Sequence, residues 1–390
     1  MKHARLVSQR AWIALCVAAG LACSIFLLSG MPKEGNELAA GGALQTSLRR
    51  HQVILRPQPS LTQRSADIPL VIYEQYHDVS CHPHLHTGNL LYRGLNQAAG
   101  QLRHTDDVDV PAFFEIGNDA YYQNLLCEFT GILAVANVLS QVHPHRWIGF
   151  QSWKATEKQR ALTSASEEAI LAAIAKPEYA DAVFFWANGG VRDHGWGDGI
   201  QDFYGQCDSV HIYCSLVYER TFELLFGGRL ADAGYRGPPP MPVDGGSFIF
   251  MSYFVMRSAA LQEYAQLVKA FFVTLDRMYF HAHRDGQFCI LAHGKGVPEP
   301  EVPAAKEYES LHCYCYLLER LINIWAYHSG RRMLHVNVDT GEITEQHPVE
   351  QRDTWRHVFQ GEALSRALSA FESELRRRSE ASVLWSRLSR

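Results

Sequence analysis

From Trp12 to Ser29 the chain reads WIALCVAAGLACSIFLLS, 18 residues without a charge. As a helix rising about 1.5 Å per residue, such a run is roughly 27 Å long, close to the thickness of a bilayer core. Residues 1–11 ahead of it carry Lys2, Arg5 and Arg10 and no acid. A basic flank of this kind is expected to stay cytoplasmic and to send the rest of the chain across the membrane. A cleaved signal peptide is the other reading. Its apolar stretch usually spans about 7–15 residues, and a small-residue sequence, LAAGGA, follows further on. The length of the run favours an uncleaved signal-anchor. Residues 30–66 are polar, contain Gly, Pro and Ser, and lack periodicity, which predicts a stem or linker.

The expected plan is therefore a cytoplasmic tail (1–11), a transmembrane helix (12–29), a stem (30–66), a large lumenal domain (67–345) and a helical C-terminal tail (346–390). Many Golgi-resident type II enzymes are arranged this way, so a single-pass protein of the Golgi or another secretory-pathway membrane is expected. The 390 residues suffice for one large or two ordinary domains, and with 47% hydrophobic and 20% charged residues a packed core is available. The net charge of −5, with no basic tract before the last 40 residues, argues against nucleic acid as a partner.

Cysteine use fits an oxidising lumen. Cys16 and Cys23 fall in the apolar run; beyond it stand Cys81, Cys127, Cys207, Cys214, Cys289, Cys313 and Cys315. Seven is odd, so at least one stays free or pairs between chains. Cys207 and Cys214 are spaced to close a short loop. Cys313 and Cys315, two apart on a helical pattern, should point in different directions and not pair with each other. No N-x-[ST] sequon occurs.

Past the stem, strand-like and helix-like segments alternate. Ile68–Tyr76 (IPLVIYEQY), His145–Trp153 (HRWIGFQSW), Asp181–Ala187 (DAVFFWA), SFIFMSYFVM and MLHVNVD read as strands. Asn124–Val142, the segment opening at Ser164 with Glu167 at capping-box spacing, VHIYCSLVYERTFELLFGG, the segment from Ser258 as cap, and Glu307–Tyr327 read as helices. The tail from Thr354 reads as a solvated helix. This alternation predicts an α/β domain with a mixed or mostly parallel sheet flanked by helices.

Motifs narrow the chemistry. CHPHLHTG brings His82, His84 and His86 together, but Pro83 opposes a regular strand, so a polar loop after the first strand is expected. A metal-dependent hydrolase would rest on that cluster alone. Asp107-Val-Asp109 is the literal D-x-D of a cation site. It lacks an apolar lead-in and precedes Pro111 by two residues, which predicts a solvated acidic loop. The strand DAVFFWANGG ends in Trp186-Ala187-Asn188 without a carboxylate; Asp193, His194 and Asp198 follow as candidate ligands for Mn²⁺ or Mg²⁺. Nucleophile elbow, P-loop and G-x-G-x-x-G opening a helix are all missing.

In order along the chain stand VIYEQY, Glu128 in its helical segment, WIGFQSWKATEK (Trp147–Lys158), DAVFFWANG, MSYFVMRSAALQEY (Met251–Tyr264) and LLERLINIWAYHS (Leu317–Ser329). Together they resemble glycosyltransferase-like proteins of polysaccharide-synthesis loci, near the DUF4422 class, over roughly residues 68–330. That resemblance implies a GT-A-like nucleotide-sugar fold, a nucleotide-sugar donor and a glycan acceptor. Ser252 stands where those proteins usually carry asparagine. For such a site, Trp153 offers a stacking face and Lys154 a charge for phosphate. Asp244 and Asp285 are candidate base or metal carboxylates, and Glu319 with Arg320 is placed to handle the acceptor. Asn188 and Tyr253 are expected to line the same site. Structural alternatives stand beside these: Trp153 as core, Glu319-Arg320 as a buried ion pair. At the level of the whole chain the alternative is a non-catalytic, membrane-anchored lumenal protein that binds a glycan or partner on a degenerate GT-A fold.

Overall fold

The computed structural model describes residues 69–77, 90–98, 102–104, 106–142, 145–176, 180–188, 202–210, 214–226, 237–249, 251–284 and 313–352, with separate residues between 359 and 388. The chain divides into two units, Met1–Arg56 and Pro57–Arg390. The first lies outside the described residues, and with it the expected transmembrane run. No helix among the described residues is long and apolar enough to cross a membrane.

The second unit is built on a sheet of eight strands. In chain order these are β1 (Leu70–Tyr76), β2 (Tyr92–Asn96), β3 (Val108–Asp109), β4 (Trp147–Ser152), β5 (Ala182–Phe184), β8 (Phe254–Arg257), β9 (Met333–Val336) and β10 (Ile343–Gln346). Two further strands, β6 (Ala187–Asn188) and β7 (Phe248–Ile249), form a separate antiparallel pair. The order across the large sheet is β10-β9-β5-β8-β4-β1-β2-β3. β1 pairs in parallel with both β2 and β4, β2 with β3, and β5 with β9. β8 runs antiparallel between β4 and β5, and β10 antiparallel to β9.

Among the described residues eight α-helices accompany the strands: α1 (Val110–Phe113), α2 (Ala120–Leu126), α3 (Phe129–Val142), α4 (Ser164–Ile174), α5 (Phe203–Val210), α6 (Cys214–Phe226), α7 (Ser258–Arg284) and α8 (Cys313–His328). They lie on both faces of the sheet because the strands alternate. Val71 and Tyr73 of β1 join Ile148 and Phe150 of β4 in a large core with α3, α6, α7 and α8. Leu70, Ile72 and Trp147 face the other way, onto Ile170, Ala173 and Ile174 of α4. α7 buries Leu261, Tyr264, Leu267, Val268, Phe271, Phe272 and Leu275, more than one face, as a helix does when other elements cover it on several sides.

The expected α/β class is met, and several boundaries differ for physical reasons. The single helix expected over Asn124–Val142 is broken at Cys127, whose φ is +47°, so α2 and α3 are separate helices. The expected cap of α4 moves one residue back: Thr163 accepts from Ser166 N, and Ser166 Oγ accepts from Thr163 N at 2.8 Å. Glu167 instead accepts a 2.6 Å hydrogen bond from Tyr92 Oη. Of VHIYCSLVYERTFELLFGG, Cys214–Phe226 forms α6, while Val210 ends α5, a helix not expected; the Cys207–Cys214 disulfide that the spacing suggested ties the two helices. SFIFMSYFVM splits into β7 and β8 at Met251, φ +54°. Strand β10 was not expected; its side chains are exposed or half-buried, so they carry little apolar signal. The expected solvated tail contributes Phe359 and Leu388, both fully buried, to the large core.

Asp107 corrects another expectation, for it is buried rather than solvated. It accepts hydrogen bonds from Tyr76 Oη (2.8 Å), Gly94 N (3.1 Å) and His104 N (3.2 Å). Arg103 lies 3.6 Å from it, ion-pairs with Glu74 and covers the Tyr76 ring. Asp107 thereby fastens the loop before β3 to the ends of β1 and β2. It reaches them because Gly94 has no side chain; a Cβ there would meet the Asp107 carboxylate itself. Gly94→Ala is therefore expected to cost about 1–3 kcal/mol, the range for overpacking. A urea midpoint unchanged from wild type would show that Asp107 retreats freely.

The strand order fixes where a ligand would enter. From β1 the chain builds β2 and β3 on one side, then returns to place β4 on the other. In open α/β sheets such a reversal opens a crevice outside the carboxyl ends of the two central strands. Here these ends are Glu74–Tyr76 and Gln151–Ser152.

Candidate functional site

Four segments converge near the carboxyl end of β4. The first is the break between α2 and α3, which carries Glu128. Cys127 takes its left-handed conformation there while its N–H donates to Gln123 O at 2.9 Å, and Thr130 Oγ1 donates to Cys127 O at 2.8 Å. The second is the turn after β4. Ser152 accepts from Lys154 N at 3.3 Å, and a 3-10 turn over Trp153–Ala155 leads on to Lys158. The third is the bend at Met251, which places Ser252 and Tyr253 just ahead of β8. The fourth is α8, which carries Glu319.

Their charges interact. Burial raises the Glu128 carboxyl above its ordinary range. Lys158, the hydroxyls of Ser252 and Ser152, and Lys154 oppose that rise without cancelling it. Burial likewise pushes the Glu319 carboxyl up to about 7; Glu128 adds repulsion, and Arg320 and Lys158 oppose it. The Lys158 ammonium is lowered by burial and by Lys154, against the pull of Glu128 and Glu319. Its Nζ lies 3.3 Å from Met251 Sδ and 5.0 Å from the centre of the Trp186 ring, a cation–π contact. Both glutamates keep partial solvent exposure.

Tyr253 forms the wall. It is fully buried, packs edge-on against Phe185 and Trp186, and has its phenol held far above the ordinary value by burial and by Glu128. Lys154 lies 4.8 Å above the Trp153 ring. Glu128 and Glu319 both have raised carboxyls and repel each other, so they titrate as a coupled pair, with Lys158 beside them. Such a pair can take a proton from a hydroxyl while the ammonium groups meet developing negative charge.

The structure thus brings together Lys154, Tyr253 and Glu319 of the residues expected from sequence. Trp153 sits at the edge beneath Lys154. Arg320 is buried; its Nη1 donates to Tyr316 O at 2.9 Å and its charge faces Glu319. Asn188 stands in β6, paired in register with Phe248 of β7. Asp244 lies on an exposed turn, with its carboxylate 2.8 Å from Nδ1 of buried His347 and accepting from Gly246 N at 2.9 Å. Burial alone would raise it; the hydrogen bonds from His347 and Gly246 outweigh that and hold it below the ordinary range. Asp285, Asp193, His194, Asp198 and the histidines of CHPHLHTG lie outside the described residues.

Sequence reasoning missed the chemistry of Glu128, Lys158, Ser152 and Ser252. Glu128 was legible as a landmark of the resemblance. A stronger signal was its isolation: a lone carboxylate in an otherwise apolar helical run is costly unless something takes it out of the helix. Among the described residues no three His, Cys, Asp or Glu side chains gather as a metal site. Compared with protein-family models, with curated proteins and with solved structures, the chain finds no match in any of the three.

Proposed function

We propose that the chain is a glycosyltransferase that moves a sugar from a nucleotide-sugar donor to a glycan acceptor on a GT-A-like fold. The observation that carries this reading is the Glu128–Lys158–Glu319 cluster, set where a reversing α/β sheet opens its ligand crevice. In the proposed step the acceptor hydroxyl oxygen bonds to the anomeric carbon. The bond from that carbon to the donor's diphosphate oxygen breaks, and its electron pair leaves with the nucleoside diphosphate. Glu319 takes the hydroxyl proton. Lys158 and Lys154 meet the charge of the diphosphate as point charges.

Donor diphosphates of this class commonly travel with Mn²⁺ or Mg²⁺. The described part of the site does not fit such an ion, because two ammonium groups occupy the cluster that holds the carboxylates. The two disulfides, Cys127–Cys315 and Cys207–Cys214, fit an oxidising compartment, and with the uncharged run Trp12–Ser29 they support a type II membrane protein whose domain faces the lumen of the Golgi or another secretory compartment.

The test uses the full chain in detergent, screened for thermal shift against UDP- and GDP-sugars with and without Mn²⁺, and for release of nucleoside diphosphate. A rise in midpoint with one donor, and turnover when an acceptor glycan is added, is the expected result. No shift and no release with any donor would end the enzyme reading. A shift without turnover would favour the non-catalytic binding protein.

A further inference from the structure

The two carboxylates of the proposed site come from parts of the chain 191 positions apart, Glu128 and Glu319. Each lies beside a cysteine. Cys127 precedes Glu128 directly, and Cys315 lies one helical turn before Glu319. These cysteines form a disulfide with Cα atoms 6.0 Å apart. We infer that the Cys127–Cys315 disulfide is a positioning element of the site, holding the two turns that carry Glu128 and Glu319 against each other. This rests on the function proposed above for the cluster.

Three observations converge on this role. First, Cys127 occupies φ +47°, a conformation that L residues other than Gly adopt only when surroundings impose it. That conformation ends α2 and turns Glu128 out of the helical run. The disulfide anchors the side chain of this same residue. Second, Cys315, Glu319 and Asn323 follow at intervals of four on α8 and so share one face. Asn323 is itself fixed: it accepts from Ile249 N at 2.6 Å and donates to Ile249 O at 2.9 Å, completing the edge of β7. Glu319 is therefore pinned one turn before by the disulfide and one turn after by a strand. Third, the two carboxylates repel each other, and burial opposes their charge. Left free, their segments would separate and hydrate; a covalent tie resists that.

Groups facing Glu319 are Arg320 of its own helix, Glu128 from the α2–α3 break, Lys158 from the turn after β4, and Tyr218 of α6. Those facing Glu128 are Lys158, Lys154, Ser152, Ser252 and Tyr253. Removing the disulfide changes none of them chemically, so a change in how the carboxyls titrate reports position.

The experiment compares the full chain with Cys127→Ala/Cys315→Ala, and with Cys207→Ala/Cys214→Ala as a control that removes the other disulfide. The pH–rate profile of donor turnover should show an acid limb near pH 7 in wild type. In the first variant the limb should move down by at least about one pH unit and turnover should fall at least about tenfold; the control should keep the limb. ¹³C NMR of glutamate carboxyls reads the same shift without turnover, so it stands even if no donor is used and the enzyme reading fails. Should the variant not fold, a dithiol reductant applied to wild type supplies the second route. It donates two electrons and two protons, opens the bridge to two thiols and becomes a disulfide itself. The same downward shift, reversed on reoxidation, is expected. Carboxyl titration unchanged after loss of the Cys127–Cys315 bridge would overturn the proposal.

Discussion

Glu319→Gln should remove turnover and stabilise the fold in the same stroke. As the proposed general base Glu319 should contribute in the range of roughly 10²–10⁴-fold, and glutamine keeps its shape without its proton affinity. The stability effect follows from linkage. The Glu319 carboxyl is raised from an ordinary 4.5 to about 7, so between these values the folded chain binds more protons than the unfolded one. Its contribution to stability is complete below pH 4.5, falls as pH rises to 7, and is absent above. The size is of order 3 kcal/mol, since one pKa unit corresponds to about 1.4 kcal/mol. At pH 8 the variant should therefore unfold at a higher urea concentration than wild type, and at pH 4 the two should agree. A variant that loses activity together with stability at pH 8 would mean that Glu319 is an ordinary core residue.

Lys158→Met should act in the opposite sense on stability. Lys158 supplies countercharge to both Glu128 and Glu319. Without it both carboxyls rise further, and the acid limb of the pH–rate profile moves above 7. Loss of the ammonium should lower kcat/KM by roughly 10²–10³-fold, as for other groups that stabilise leaving charge. Breaking a buried pair costs about 3–5 kcal/mol when the partner stays charged. The destabilisation should thus be large at pH 8 and small at pH 4, where the carboxyls are neutral. Urea midpoints at the two pH values give the comparison, and equal losses at both would exclude a countercharge role.

The paired signs set these residues apart from structural ions. Arg103 and Glu74 are also buried and paired, yet they join Asp107 and Tyr76 in a closed network that fastens a loop. Glu128 and Glu319 are like charges held together while partly exposed to solvent. A fold does not gain stability from that arrangement, which is what supports the proposed site.

Strand identity was legible because β1, β4 and β5 bury both faces and so read as short apolar runs. β10 was invisible for the converse reason. In the segment WIGFQSWKATEK, Trp153 and Lys154 stand out in the sequence because an aromatic and a cation side by side look like a ligand platform. Lys158, one turn later, carries the countercharge. Nothing in residue order says which lysine faces two carboxylates. Asp244, a candidate base or metal carboxylate by sequence, has its charge engaged by His347, 103 residues away.

By itself the sequence determined the α/β class, the approximate places of β1, β4 and β5, the Cys207–Cys214 loop and the uncharged run Trp12–Ser29. Each is local: period, run length or short spacing, all properties of neighbouring residues. Only the tertiary structure decided the order of strands, the break at Cys127, the Cys127–Cys315 bridge and the meeting of Glu128, Lys158 and Glu319. These depend on contacts between residues distant in sequence, 188 positions apart for the Cys127–Cys315 bridge. Their energies come from burial and charge in a shared low-dielectric recess, and that recess exists only once the chain has folded around it.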